Sequence, residues 1–386
     1  MSKIVMTLTN PFRPDPRVGW EAKALSEAGH QVTIIAWDRE AELPAVASIA
    51  GINIIRIQDI RSTYSAGIKQ SYYLPKFWRN AVEVAFQLSP DLVHCHDLDT
   101  LWIGRQVKKK INCQLIYDAH ENYPAVMTLY LPAFLTTLLV RWEKWLLKSV
   151  DHTITASSWF ATKLIAQGVS PVTTIGNFAD LEHYAAINQA QLISARAKHG
   201  LERGEFVVAY IGGFTLDREI LPLIDAVSSH PEISLLLAGD GLQRQRIESV
   251  IRDFPNVRYV GWLSSKEIPI YTKVADVIYY ALKPNYPGAI YNAPNSLGNA
   301  LAAGRPVLAN DIGDLGDIVK RANCGLLLSD LQPATIVNAL ERLKSPQLRQ
   351  ALGENGLRLA VTECNVAHSQ KQILMIYDHL LSKTYR

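Results

Sequence analysis

The chain has 386 residues, 48% of them hydrophobic, which is enough for two domains of ordinary size, each with its own core. Charged residues make up 19%, and 39 Lys+Arg against 36 Asp+Glu leave a net charge of only +3, so composition offers no basic stripe of the kind a nucleic-acid binder shows. Cys95, Cys113, Cys324 and Cys364 are scattered without a C-x-x-C pair and read as reduced thiols of an intracellular protein.

The first half alternates short apolar strands with helices. "KIVMTLT" reads as an opening strand rather than a signal peptide, because Asn10-Pro11 stops its apolar run early. "PRVGWEAKALSEAGH" follows as a helix, with Asp15 as cap, Pro16 in the first turn and Gly29 at the end. "QVTIIAW" and "INIIRI" are the next strands, and "FWRNAVEVAFQL" is helical. "DLVHCH", "QLIYDAH" and "HTITAS" complete the series. Such alternation predicts a parallel sheet covered on both faces, with ligands at the carboxyl ends of its strands. "TNPFRPD", "HDLD" and "HENYP" should therefore share one rim, which brings Arg17, His96, Asp97, His120 and Glu121 into the same neighbourhood.

A polar helical stretch, residues 182–204, connects this domain (1–181) to a second alternating unit (205–363), and a last helix occupies 364–386. The strands expected there are "FVVAYIGGF", "ISLLLAGDG", "VRYVGWL", "ADVIYYAL", "RPVLAND" and "CGLLL". Gly212 and Gly213 would let a ligand approach the backbone, and Arg218, placed near the next helix start, would grip a phosphate. The alternative is a plain turn with a solvated arginine. "AGDG" and "VGWL" add two rim loops, and "PNSLGNALAAG" opens a helix with Asn295 and Ser296.

Taken in order and spacing, "DPRVGWEAKALSEAGHQVTIIAWDRE", "DLVHCHDLDTL", "LIYDAHENYP", "YIGGFTLDREILPLIDA", "LLLAGDG", "VRYVGWLS" and "PNSLGNALAAGRPVLAND" resemble glycosyltransferase family 4, the group 1 glycosyltransferases, over nearly the whole length. The resemblance implies a GT-B fold: two doubly wound Rossmann-like α/β domains facing across a cleft, with the final helix crossing back to the first. It implies retaining transfer of a sugar from a nucleotide-diphosphate-sugar to a glycan or glycolipid acceptor. No metal or resident cofactor is expected, because positive side chains and helix ends would neutralise the leaving diphosphate. The implied catalytic residues are Arg218, where the family usually has a lysine, and His120, which would hydrogen-bond the transferred sugar. The implied donor site takes in Gly212, Gly213, Phe214, Arg218, Gly239, Gly261, Asn295, Ser296, Leu297 and Asn299, with Arg17, His96, Asp97 and Glu121 on the acceptor side.

The sequence also departs from the pattern. Tyr291 and Asn299 stand where many members carry two glutamates of a Glu-x7-Glu motif, Gly213 replaces an arginine, and Ser296 replaces a lysine. Asn299 keeps an acceptor for a ribose hydroxyl but loses a charge-assisted bond worth about 1–2 kcal/mol. A degenerate, non-catalytic scaffold serving a partner glycosyltransferase is the alternative; epimerase and phosphorylase readings rank lower. His94 and His96 on one strand face superficially suggest a metal, and a strand-end rim is the plainer account. "VRWEKWLLK" can lie on an anionic membrane or pack Trp142 and Trp145 inward, the latter being favoured. The expected setting is the cytoplasm, or the cytoplasmic face of a membrane, in cell-surface polysaccharide synthesis.

Overall fold

The computed structural model describes residues 1–13, 15–62 and 70–384; Pro14 of the first rim loop and the last two residues of the 364–386 assignment lie outside them. The chain divides into two units. One comprises residues 1–176 and the C-terminal segment from Gln370; the other is Asn177–Ser369.

The first unit is built on β1 (Lys3–Leu8), β2 (Gln31–Trp37), β3 (Val46–Ile49), β4 (Ile52–Ile57), β5 (Leu92–His96), β6 (Gln114–Ala119), β7 (His152–Thr155) and β8 (Val172–Thr174). They form one sheet in the order β3-β4-β2-β1-β5-β6-β7-β8. All neighbours are parallel except β3, which pairs antiparallel with β4 at the edge. β1 is buried from Ile4 to Leu8 and β5 throughout, as expected for strands covered on both faces. Strand order reverses between β1 and β5, and that switch point is where a doubly wound sheet leaves room for a ligand.

The second unit carries β9 (Phe206–Ile211), β10 (Ile233–Ala238), β11 (Val257–Gly261), β12 (Val277–Tyr280), β13 (Val307–Asn310) and β14 (Gly325–Leu328), ordered β11-β10-β9-β12-β13-β14 and all parallel. Its switch point lies between β9 and β12. The stretch expected to connect the units forms the helices Leu181–Ala185 and Gln189–Lys198, and both belong to the second unit.

The helix Val366–Thr384 starts in the second unit and ends in the first. Its Ile373, Ile376, Tyr377, Leu380 and Leu381 join the first-unit core with Ile4, Met6, Ile34 and Ile116. Asp15 caps the helix Pro16–Glu27 by accepting from the backbone N–H groups of Arg17 and Val18. The four cysteines are buried thiols. Among the described residues no helix is long and apolar enough to cross a membrane.

Candidate active site

At the first switch point, charged groups gather where the interior is closed to water. The helix Pro16–Glu27 points Arg17 and Glu21 inward, one turn apart. Arg17 makes a forked pair with Asp118 on β6, Nε to Oδ2 at 2.9 Å and Nη2 to Oδ1 at 3.0 Å, and Nη1 donates to the Ile175 carbonyl at 2.8 Å. Glu21 Oε1 lies 3.3 Å from Arg17 Nε, and Oε2 lies 3.8 Å from His96 Nε2. His94 and His96 stack on β5, and the Tyr377 hydroxyl sits 2.8 Å from His94 Nδ1. His120, just past β6, has Nε2 at 3.2 Å from both Asp118 Oδ2 and His96 Nδ1.

These contacts set the charges. Burial opposes ionisation of Asp118, but the Arg17 guanidinium and His120 outweigh it and hold the carboxyl well below its ordinary range. Burial, and next the Asp118 charge, push Glu21 well above its own. Burial keeps His94 and His96 neutral, with His96 opposing His94. His120 behaves oppositely: burial lowers it, yet Asp97 and Asp118 raise it to about 10. Burial lifts Asp97 to about 7 against the pull of His120.

Glu21, His94, His96 and Asp118 each bring a ligand-type atom within 4.8 Å of the others, so the pairing noticed in "HCHD" is part of a larger group. Arg17 lies against both carboxyl groups of this cluster, with Nε 2.9 Å from Asp118 and 3.3 Å from Glu21.

Two acceptor-side expectations are corrected here. Arg17 does not reach the rim; it is 7% exposed and committed to Asp118 and Ile175. His96 is 2% exposed and stands behind His120. Asp97, Glu121 and His120 keep exposed surface. Sequence reasoning missed Glu21, which reads as one more polar residue of an amphipathic helix, and Tyr377, which lies far along the chain. The spacing of Arg17 and Glu21 by one turn was the available signal.

In the second unit the rim loops converge. Gly212 N–H donates to the Ala238 carbonyl at 3.0 Å, Phe214 N–H to Asp240 at 2.8 Å, and Gly239 N–H to Gly261 at 2.9 Å. Gly239 has φ +151°, and a Cβ there would lie 1.9 Å from the Gly212 carbonyl oxygen, so only glycine allows these loops to touch. The Tyr210 hydroxyl donates to the Gly213 carbonyl at 2.7 Å. The helix Asn295–Ala303 starts at this point, with Pro294 as its N-cap and no capping side chain. Ser296 Oγ donates to the Ile211 carbonyl at 2.6 Å, fastening the helix start to the end of β9. Asn310, unnoticed in the sequence, bonds both backbone groups of Leu282 and joins the ends of β12 and β13.

Several donor-side expectations change accordingly. Ser296 is buried and spends its hydroxyl on the backbone. Phe214 is fully buried and packs among Tyr210 and Tyr259. Arg218 lies shortly before the helix Leu221–Ser228 and itself forms an isolated antiparallel bridge to Leu282. Its guanidinium pairs with Asp217 and lies 5.0 Å above the Tyr280 ring. Leu297 is buried, Asn299 half-buried and Asn295 exposed, while Gly213 is exposed with only Thr215 Cγ2 within reach, at 3.6 Å from a Cβ.

Two Rossmann-like α/β units, each with a polar rim at its switch point and linked through a shared terminal helix, define the GT-B class. The sucrose-phosphate synthase of Thermosynechococcus elongatus superposes on the chain with a TM-score of 0.82 at 23% identity, covering 99% of this chain and 100% of that one. The Anabaena protein HepE in complex with UDP-glucose gives 0.76 at 16% identity, covering 98% and 100%. Residues 21–183 match Glycosyltransferase Family 4 and residues 193–358 match Glycosyl transferases group 1; the chain belongs to this glycosyltransferase family. An uncharacterised glycosyltransferase of Methanocaldococcus jannaschii is 21% identical over 84% of this chain and 83% of its own. A GDP-mannose-dependent alpha-mannosyltransferase of Mycolicibacterium smegmatis is 22% identical over 79% and 77%.

Proposed function

We propose that the protein is a retaining glycosyltransferase that moves a sugar from a nucleotide-diphosphate-sugar to a glycan or glycolipid acceptor in cell-surface polysaccharide synthesis. Family membership supports transfer of a glycosyl group, and relatives named for GDP-mannose, or bound to UDP-glucose, support a nucleotide-sugar donor. The observation that carries the reading is the convergence of the Gly212, Gly239 and Gly261 loops with an uncapped helix start at the second switch point. The N–H groups of Gly212, Phe214 and Gly239 are spent on holding the loops together, so it is the uncapped start of the helix Asn295–Ala303, with its dipole, that favours a diphosphate here. In this reading Arg218 exchanges Asp217 for the leaving phosphate, Asn299 receives a ribose hydroxyl, and His120 faces the transferred sugar. Arg218 and the helix end neutralise the developing charge, so the reaction needs no resident metal or cofactor.

The test is transfer from UDP-glucose and GDP-mannose to lipid-linked and free sugar acceptors, followed by mass spectrometry, with the anomeric configuration read by NMR. His120→Ala and Arg218→Ala are each expected to lower turnover by about a hundredfold or more while the protein stays folded. A non-catalytic scaffold for a partner transferase would show no turnover with any donor.

A contact with the cytoplasmic membrane face belongs to the same proposal. Leu129, Tyr130, Phe134, Leu135 and Leu138 are exposed around the helix Ala133–Leu147, beside exposed Arg141 and Lys144. Trp142 packs on Trp78, but Trp145 is 41% exposed, with Arg105 3.8 Å above its ring. The expected inward packing therefore holds for only one of the two tryptophans. Apolar side chains bordered by cations suit an anionic interface. Co-sedimentation with anionic vesicles, lost in Phe134→Asp/Leu138→Asp, would support it; equal binding by that variant would refute it.

A further inference from the structure

Asp97 stands between β5 and the helix Leu98–Ile111 at φ 63° and ψ 164°. That region belongs essentially to glycine, and holding another residue there costs about 1–3 kcal/mol. Asp97 is also the N-cap of the helix, yet its carboxylate makes no capping bond. Oδ1 instead accepts the backbone N–H of His120 at 3.1 Å, and Oδ2 lies 3.6 Å from His120 Nδ1. The Asp97 N–H donates to the Asp118 carbonyl at 2.9 Å. The residue thus forgoes both a relaxed backbone and a cap, and its carboxylate grips a single histidine.

The other edge of that histidine is occupied, since Nε2 meets Asp118 and His96 at 3.2 Å each. The Nδ1 edge lies beyond hydrogen-bond distance of Asp97, and 24% of the side chain is exposed. We infer that Asp97 is a positioning residue: it fixes the His120 ring as an imidazolium and leaves the Nδ1–H directed outward as a donor to a sugar oxygen. The inference rests on the sugar-side role proposed for His120. It adds that the ring donates and does not act as a base.

The groups facing the ring come from every element packed on it. Asp97 and Asp118 favour its charge, and Arg17 opposes it. His96 also faces it from β5, kept neutral by burial. Further out, Glu21 lies on the helix Pro16–Glu27, and Asp99 and Glu121 act on Asp97. Of the two carboxylates nearest the ring, Asp118 is already neutralised by the Arg17 fork, so Asp97 is the anion whose loss the ring should register.

The experiment is a pH titration of the histidine ring signals of the full chain by NMR, with His120 assigned through His120→Gln. Asp97→Asn keeps the shape and removes the charge, whereas Asp97→Gly also relaxes the backbone. Both are expected to lower the His120 midpoint by about one pH unit or more. Asp97→Gly is expected to melt no lower than wild type, because the strain it removes offsets the contact it loses. In sugar transfer both should lower kcat about ten- to a hundredfold with the donor KM unchanged. An unchanged His120 midpoint in both variants overturns the inference. A lowered midpoint in a protein that transfers no sugar upholds the positioning and refutes the sugar-side reading instead.

Discussion

The Arg17–Asp118 pair should behave as one energetic unit, and its size follows from its surroundings. Asp118 is fully buried, and Arg17 supplies two of its contacts, at 2.9 and 3.0 Å. In Arg17→Met the carboxylate keeps only His120 as a close charged partner, and the Ile175 carbonyl loses its donor. Breaking a buried pair in this way costs about 3–5 kcal/mol. Asp118→Asn is expected to cost less, about 1.5–3 kcal/mol, because Glu21 loses a neighbouring anion and can ionise against Arg17. The double variant leaves no uncompensated charge, so its loss should fall short of the sum of the singles by about 2 kcal/mol. Urea unfolding followed by tryptophan fluorescence reads this directly, because every tryptophan except Trp262 lies in the first unit. Losses that add to within about 0.5 kcal/mol would refute the reasoning, since independent sites behave that way.

Gly213→Arg should add a charge beside the proposed diphosphate site at no cost in stability, because the position is exposed and nearly open; nucleotide binding should tighten about five- to thirtyfold by calorimetry. Gly298→Ala should lower the melting temperature, since its Cβ would come within 2.7 Å of the Asn177 carbonyl oxygen, an overpacking worth about 1–3 kcal/mol. His120 is held above its unfolded value of 6.5, to about 10, so its stabilisation is complete below pH 6.5 and is lost as pH rises through 10. Unfolding free energy should accordingly fall across that window in wild type and fall less in His120→Gln. Asp97 is raised to about 7, so its own contribution is greatest at low pH and is gone above 7, leaving the upper part of the window to His120.

The two sheets were legible because strands buried on both faces appear as unbroken apolar runs, and "QVTIIAW" and "INIIRI" match β2 and β4 residue for residue. β3 and β8 escaped because they are short edge strands of mixed polarity: Val46–Ile49 is largely exposed and Val172–Thr174 only half-buried. Strand ends locate rim residues, so Asp97, His120 and Glu121 could be grouped from sequence alone, with His96 close by but buried. The direction of a side chain could not. Arg17 turns inward because Asp118 lies on a strand two positions across the sheet, a neighbour fixed only by strand order. Glu21 needed the same information. Arg218 pairs with its own neighbour Asp217, and Ser296 with a carbonyl far back in the chain; neither choice leaves a trace in local pattern.

The central claim, that the second switch point holds a sugar-nucleotide diphosphate, is tested most directly by calorimetry of the purified chain against UDP, GDP, ADP, CDP and dTDP, with Arg218→Ala as control. The account predicts that one of these binds and that the variant loses most of the affinity. No binding by any of them at millimolar concentration, or equal binding by the variant, would contradict it.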